Sequence, residues 1–145
     1  MKNRYKEFTI LIGKIGKIIK KLKSEEMKEY GLNSLHVSCI YYLYIEKSLT
    51  SKEISDMCNE DKGAISRALE YLEKNGFITC EDNNKKRYRS QLFLTDKGKD
   101  VGEIISNKIN NLLEEASRGV TEENRKIMYQ TLSLICDNLY EITNK

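Results

Sequence analysis

Apolar residues recur at steps of three and four near the start of the chain. Tyr5, Phe8, Leu11, Ile15, Ile18 and Leu22 fall on one side of a segment whose other side is mostly lysine. That spacing predicts a long amphipathic helix. Gly13 and Gly16 interrupt it at about 1 kcal/mol each relative to alanine, which predicts that another backbone approaches closely there. After Gly31, the run Leu35, Val37, Ile40, Leu43 and Tyr44 predicts a second, mostly buried helix.

Thr50-Ser51-Lys52-Glu53 then reads as a capping box, in which the Thr50 hydroxyl accepts from the Glu53 N–H and the Glu53 carboxylate reaches back to Thr50. The short helix it starts has Ile54, Met57 and Cys58 as its apolar positions, with the small Ser55 beside them. Asn59 tolerates the left-handed conformation that ends a helix, and Asp61 offers a fresh N-cap. Ile65, Ala68, Leu69 and Leu72 form the apolar stripe of the helix that follows, ending near Asn75-Gly76. Two short helices across a tight turn make a helix-turn-helix.

Phe77–Cys80 and Tyr88–Leu94 are strand-like, the latter with Ser90, Leu92 and Leu94 on one face and Arg89, Gln91 and Phe93 on the other. Between them Asp82-Asn83-Asn84 is turn-rich and runs into Lys85, Lys86 and Arg87. A hairpin placed directly after a helix-turn-helix is a wing. Thr95 then caps a long helix carrying Val101, Ile104, Ile105, Ile109, Leu112, Leu113 and Ala116, which stops by Gly119. Thr121, with Glu122 and Glu123 in the favourable first turn, starts another along Ile127, Met128, Leu132, Ile135, Leu139 and Ile142. These stripes exceed what a small winged-helix core can cover. They must meet each other, the first helix or a second chain; a monomeric bundle closed on itself is the alternative to a dimer.

Composition fits this picture. The chain has 145 residues, is 39% hydrophobic and 32% charged, and contains no proline, which suits one soluble domain rich in long helices. The lysines at 14 and 17 break the first apolar stretch, so it is neither a secretory signal nor a membrane span. A basic amphipathic helix could instead lie on a membrane surface, but the other apolar helices supply something for it to pack against. The four cysteines, Cys39, Cys58, Cys80 and Cys136, lack the close spacing of a zinc site and read as free thiols in a reducing cytoplasm. No metal or other cofactor is implied.

The formal charge of +3 hides a strong asymmetry: residues 1–23 carry +7 and residues 82–99 carry +4, while residues 24–81 carry −5 and residues 100–145 carry −3. Two basic segments in an otherwise acidic chain point to an anionic partner. On the second helix of the helix-turn-helix, Lys62 and Ser66 are four apart, as are Gly63 and Arg67, so all four share an exposed face near its N-terminal end. Short residues let a helix approach base edges in a major groove, and a cation there meets phosphate or guanine. A basic wing tip fits an A·T-rich minor groove, whose negative potential attracts arginine. Helix and wing agree on double-stranded DNA. A two-fold dimer would set two such helices about 34 Å apart on a pseudo-palindromic site.

Leu49–Ser55, Asp61–Arg67, Leu72–Ile78 and Leu94-Thr95-Asp96-Lys97-Gly98 together resemble the winged-helix signature of MarR-type transcriptional regulators, in matching order and spacing. The resemblance spans the chain and implies a mainly α fold with a small β-wing: a winged helix-turn-helix over residues 31–99, with dimerisation helices at 1–30 and 100–145, forming a single MarR-like domain over 1–145. It implies a homodimeric DNA-binding regulator, a repressor in expectation, that leaves its operator when a small molecule or an oxidant acts on it. Carried onto this chain, the DNA-binding residues are Ser51, Lys62, Gly63, Ser66 and Arg67, with Lys85, Lys86, Arg87 and Arg89 in the wing. Lys86 stands where the family commonly has Asp, and Gly63-Ala64 where it often has Ser-Thr. The resemblance also implies a crevice for a small aromatic or phenolic effector, bordered here by Ile15, His36, Cys39 and Tyr42.

His36 and the tyrosines of the second helix also have ordinary readings, as a capping or surface residue and as core. Redox sensing needs an exposed, electrostatically stabilised thiolate. Cys39 and Cys58 fall on apolar stripes, which leaves Cys80 as the expected exposed thiol. The oxidant-sensing branch of the family carries its cysteine in the first helix, where this chain has none. One histidine, no glycine-rich phosphate loop and no nucleophile elbow argue against an enzyme. A winged-helix module that binds protein has no need of Lys85, Lys86 and Arg87 together.

Overall fold

The computed structural model describes residues 3–81 and 90–144. Six α-helices and three short strands occur among them: α1 (Lys6–Glu26), α2 (Ser34–Glu46), β1 (Ser48–Leu49), α3 (Ser51–Cys58), α4 (Lys62–Lys74), β2 (Ile78–Cys80), β3 (Leu92–Leu94), α5 (Asp96–Ala116) and α6 (Glu122–Thr143). A 3-10 turn at Lys28–Tyr30 joins α1 to α2. The chain forms two compact units, one through Lys108 and one from Ile109, so α5 contributes to both.

The first unit holds the core. α2 lies at its centre and meets α1, α3, α4, β1 and β3, which is why its His36, Val37, Cys39, Ile40 and Leu43 are all buried. Ile54 of α3, the predicted stripe Ile65, Ala68, Leu69 and Leu72 of α4, and Val101 and Ile105 of α5 complete the interior. Met57 departs from expectation. It is exposed, because Ile54 and Ser51 occupy the inward side of the two-turn α3 and Met57 falls on its outer side.

The sheet is antiparallel in the order β1-β3-β2. A strand pair was expected; β1 is an addition, pairing Ser48 with Phe93 and Leu49 with Leu92. The predicted alternation on β3 holds where described, with Ser90, Leu92 and Leu94 buried and Phe93 exposed.

Thr95 locks α5 to the end of α4. Its hydroxyl accepts from Gly98 N–H at 3.0 Å, the expected cap, and donates to the Gly76 carbonyl at 2.6 Å. Lys97 Nζ donates to the Asn75 carbonyl at 2.9 Å and lies 4.4 Å from the centre of the Phe77 ring. Gly98 is needed here, since a Cβ would overlap the Phe77 carbonyl oxygen.

α1 buries none of its residues, and Leu11, Ile15 and Ile18 are all more than half exposed. The close approach expected at Gly13 and Gly16 does not occur within the first unit: a Cβ at either position would meet open space, because the helix is uncovered on that side.

In the second unit α5 ends at Ala116, Gly119 turns the chain at φ 84°, and the Thr121 hydroxyl accepts from Asn124 N–H at 3.1 Å to cap α6. α6 also buries nothing, leaving Leu134, Leu139, Tyr140 and Ile142 exposed.

Candidate nucleic-acid interface

The helix-turn-helix is built from local chemistry at every joint. Thr50 N–H donates to Glu53 Oε1 at 2.9 Å and Glu53 N–H to Thr50 Oγ1 at 3.1 Å, so the capping box forms as expected. The Thr50 N–H, and after it the Thr50 hydroxyl, favour the charged Glu53 carboxylate and hold it below the usual carboxylate range. Asn59 ends α3 in the left-handed region at φ 53°, ψ 46°. Ser55 Oγ donates to the Glu60 carbonyl at 2.7 Å and closes the turn. Asp61 Oδ1 then accepts from Ala64 N–H at 2.7 Å and starts α4. With Ile65, Ala68, Leu69 and Leu72 buried, α4 faces outward with its remaining residues.

At its N-terminal end the outward residues are the predicted set. Lys62, Gly63, Ser66 and Arg67 are all exposed at the N-terminal end of α4. The Arg67 guanidinium folds back along the helix, so a Cβ on Gly63 would stand 3.3 Å from Arg67 Nη1. Two cations beside the positive end of a helix dipole make a surface suited to a polyanion. Ser51 is not on it. As the first residue of α3 it turns inward and is only 7% exposed, so its hydroxyl does not share the face.

The wing is described at its base, where Cys80 pairs with Leu92 and Glu81 N–H donates to the Gln91 carbonyl at 3.0 Å. Lys85, Lys86, Arg87 and Arg89 lie outside the described residues.

The effector candidates do not converge within the protomer. Ile15 is exposed on α1, Tyr42 is half-buried, and His36 and Cys39 are buried in α2. His36 Nδ1 accepts from Asn33 N–H at 3.1 Å while Asn33 Oδ1 accepts from His36 N–H at 2.9 Å, a reciprocal cap of α2. The ring also stacks on Tyr71 at 4.3 Å, and the Tyr71 hydroxyl donates to the Gly31 carbonyl at 2.7 Å. The capping reading of His36 is therefore the one realised, and burial pushes its pKa down. A pocket does open where α1, α2 and α3 meet, but it is lined by Gly16, Ile19, Lys20, Lys23, Ser38, Cys58 and their neighbours, and by none of those four.

The thiols also depart from expectation. Cys136 on α6 is the exposed one, Cys58 and Cys80 are half-buried and Cys39 is buried.

A helix-turn-helix followed by a three-stranded wing base defines the winged-helix class. The family model for the winged helix DNA-binding domain matches residues 35–113. The transcriptional regulator SarZ of Staphylococcus saprophyticus is 30% identical over 105 residues, covering 72% of this chain and 71% of SarZ. The fold matches that of the MarR-family regulator NMB1585 from Neisseria meningitidis with a TM-score of 0.83 at 18% identity, covering 97% of this chain and 96% of that one. It matches a MarR-family protein from Listeria monocytogenes, solved with a 26mer DNA, with a TM-score of 0.80 at 24% identity, covering 92% and 93%. The chain belongs to the winged helix DNA-binding family of transcriptional regulators and has the MarR fold. That family is one of regulators and not of enzymes.

Proposed function

We propose that the protein works as a homodimer that binds a pseudo-palindromic operator and represses the gene beside it. The observation that carries this reading is the exposed N-terminal face of α4, where Lys62 and Arg67 flank the small Gly63 and Ser66. In a major groove the cations meet phosphate or guanine, while the small residues let the helix lie close to base edges. Arg87 contacts the neighbouring minor groove, Lys85, Lys86 and Arg89 are the further DNA-binding residues of the wing, and Ser51 supports α3 from within. Residues 31–99 are the DNA-binding lobe of a single domain spanning 1–145. Residues 1–30 and 100–145 dimerise, and the uncovered apolar faces of α1 and α6 support that assignment. Two-fold symmetry then sets the recognition helices about 34 Å apart, one turn of duplex.

A regulator of this kind acts in the cytoplasm, and no helix among the described residues is long and apolar enough to cross a membrane. A small aromatic or phenolic effector releases the dimer in this reading. With His36 and Cys39 buried, Ile15 and Tyr42 are the effector candidates that offer surface to it within one protomer.

The test is titration of purified protein against labelled fragments of its own upstream region at two salt concentrations, with an unrelated duplex as competitor. Salt-sensitive binding that survives the competitor is expected. Absence of binding at low salt would overturn the reading in favour of a protein-interaction module.

A further inference from the structure

Gly63 and Arg67 stand four residues apart on the outward side of α4, away from the buried Ile65, Ala68, Leu69 and Leu72. The Arg67 side chain runs back toward the start of the helix, the direction that long helical side chains take, and its guanidinium comes to rest over Gly63. A Cβ at position 63 would stand 3.3 Å from Arg67 Nη1, closer than ordinary packing, and 3.4 Å from Asp61 Oδ1, an ordinary contact. The guanidinium is therefore the group that a side chain at 63 would displace. No hydrogen bond or ion pair ties it to the protein among the described residues, so its N–H donors are open to a ligand.

The fold does not need this glycine. It does need Gly98 and Gly102, where a Cβ would strike the Phe77 carbonyl oxygen or stand 2.8 Å from the Tyr44 ring. At 63 the obstacle is the far end of an exposed, flexible side chain, which can move aside. Glycine also weakens a helix relative to alanine. Packing and helix formation would both accept a side chain here, which leaves the surface that α4 meets as the reason for having none.

We propose that Gly63 is a specificity-determining residue: by lacking a side chain it leaves the Arg67 guanidinium lying across the first turn of α4, where it reads a guanine in the major groove. The assignment rests on the role of α4 as the recognition helix. The first turn of such a helix is the part that reaches base edges, and glycine lets its backbone approach them closely. A guanidinium laid along that turn fits the thin space between helix and bases. Guanine offers two acceptors, O6 and N7, that match the guanidinium fork, whereas adenine keeps N7 but turns its amino group, a donor, toward the cation. A methyl at 63 turns the guanidinium off the helix, toward phosphate oxygens that every sequence presents alike. The charge is kept and the reading of sequence is lost.

The test selects binding sites from a randomised duplex pool with the full chain and with its Gly63→Ala and Arg67→Lys variants, the second of which keeps the charge and loses the fork. Single bases of the selected site are then varied in competition titrations. The wild type is expected to enrich guanine at one fixed position of each half-site and to lose affinity on the order of tenfold when that guanine becomes adenine. Both variants are expected to bind the two duplexes almost equally while keeping the wild-type affinity for an unrelated duplex. Gly63→Ala should also melt no lower than the wild type, since alanine is the better helix former. Loss of base preference together with a lower Tm would mark a damaged helix and overturn the assignment. Guanine preference at full strength in Gly63→Ala, or its survival in Arg67→Lys, would overturn it as well. A wild type that binds no duplex would overturn the recognition-helix reading and this assignment with it, whereas sequence-selective binding indifferent to residue 63 would overturn the assignment alone.

Discussion

Asp61 is the N-cap of the recognition helix. Its Oδ1 accepts from Ala64 N–H at 2.7 Å and is the side-chain cap of α4. Replacing it with alanine leaves that N–H without its acceptor at a cost of about 1 kcal/mol, within the usual range for an N-cap. A negative charge at the positive end of the helix is lost as well, worth a further few tenths to about 1 kcal/mol at an exposed site. For a chain of this size the sum is expected to lower Tm by roughly 3–6 °C in thermal melts at fixed protein concentration. Asp61→Asn separates the two contributions, because the amide oxygen still accepts while the charge is gone; only the smaller loss is expected. DNA affinity runs the other way in Asp61→Asn, since removing an anion beside Lys62 and Arg67 reduces repulsion from phosphate. A Tm unchanged in Asp61→Ala, or equal losses in the Ala and Asn variants, would refute the view that this hydrogen bond holds the helix start.

Other consequences can be checked in the same preparations. Arg67→Ala and Arg87→Ala are each expected to weaken DNA binding and to lower the magnitude of the salt slope by about one unit, read from titrations across salt concentrations. An unchanged slope would mean that the residue does not touch the duplex. His36 is held neutral, with a pKa below its ordinary 6.5 through burial. Its contribution to stability is therefore complete above pH 6.5 and is lost as the pH falls from there toward the lower folded-state value, because the unfolded chain takes up the proton first. Melts across that interval should show the decline, and His36→Gln should flatten it. Gly98→Ala forces a methyl against the Phe77 carbonyl and is expected to cost about 1–3 kcal/mol in denaturant unfolding, since backbone must move.

The parts of the fold legible in the sequence are those fixed by neighbours along the chain. Thr50, Asp61, Thr95 and Thr121 each cap the helix expected of them, and Asn59 takes the left-handed conformation that ends α3. The buried stripe of α4 follows from periodicity alone, and with it the exposed face of Lys62, Gly63, Ser66 and Arg67. What escaped depends on partners distant in sequence. β1 has two residues, too few to show a period, and exists only because β3 lies beside it. Ser51 and Met57 exchange the sides expected of them because α3 is so short that its packing on α2 and α4 decides which side is inner. The stacking of His36 on Tyr71 arises where α2 meets α4, and no spacing rule reaches across that gap.

Hydroxyl-radical footprinting of the protein on the fragment it binds tests the central claim most directly. A dimer presenting two copies of α4 should protect two patches on one face of the duplex, centred about 34 Å apart and related by an inverted repeat. Arg67→Ala should fade both patches equally. A single asymmetric patch, or two protected segments with no symmetry between them, would contradict the dimeric geometry on which the account rests.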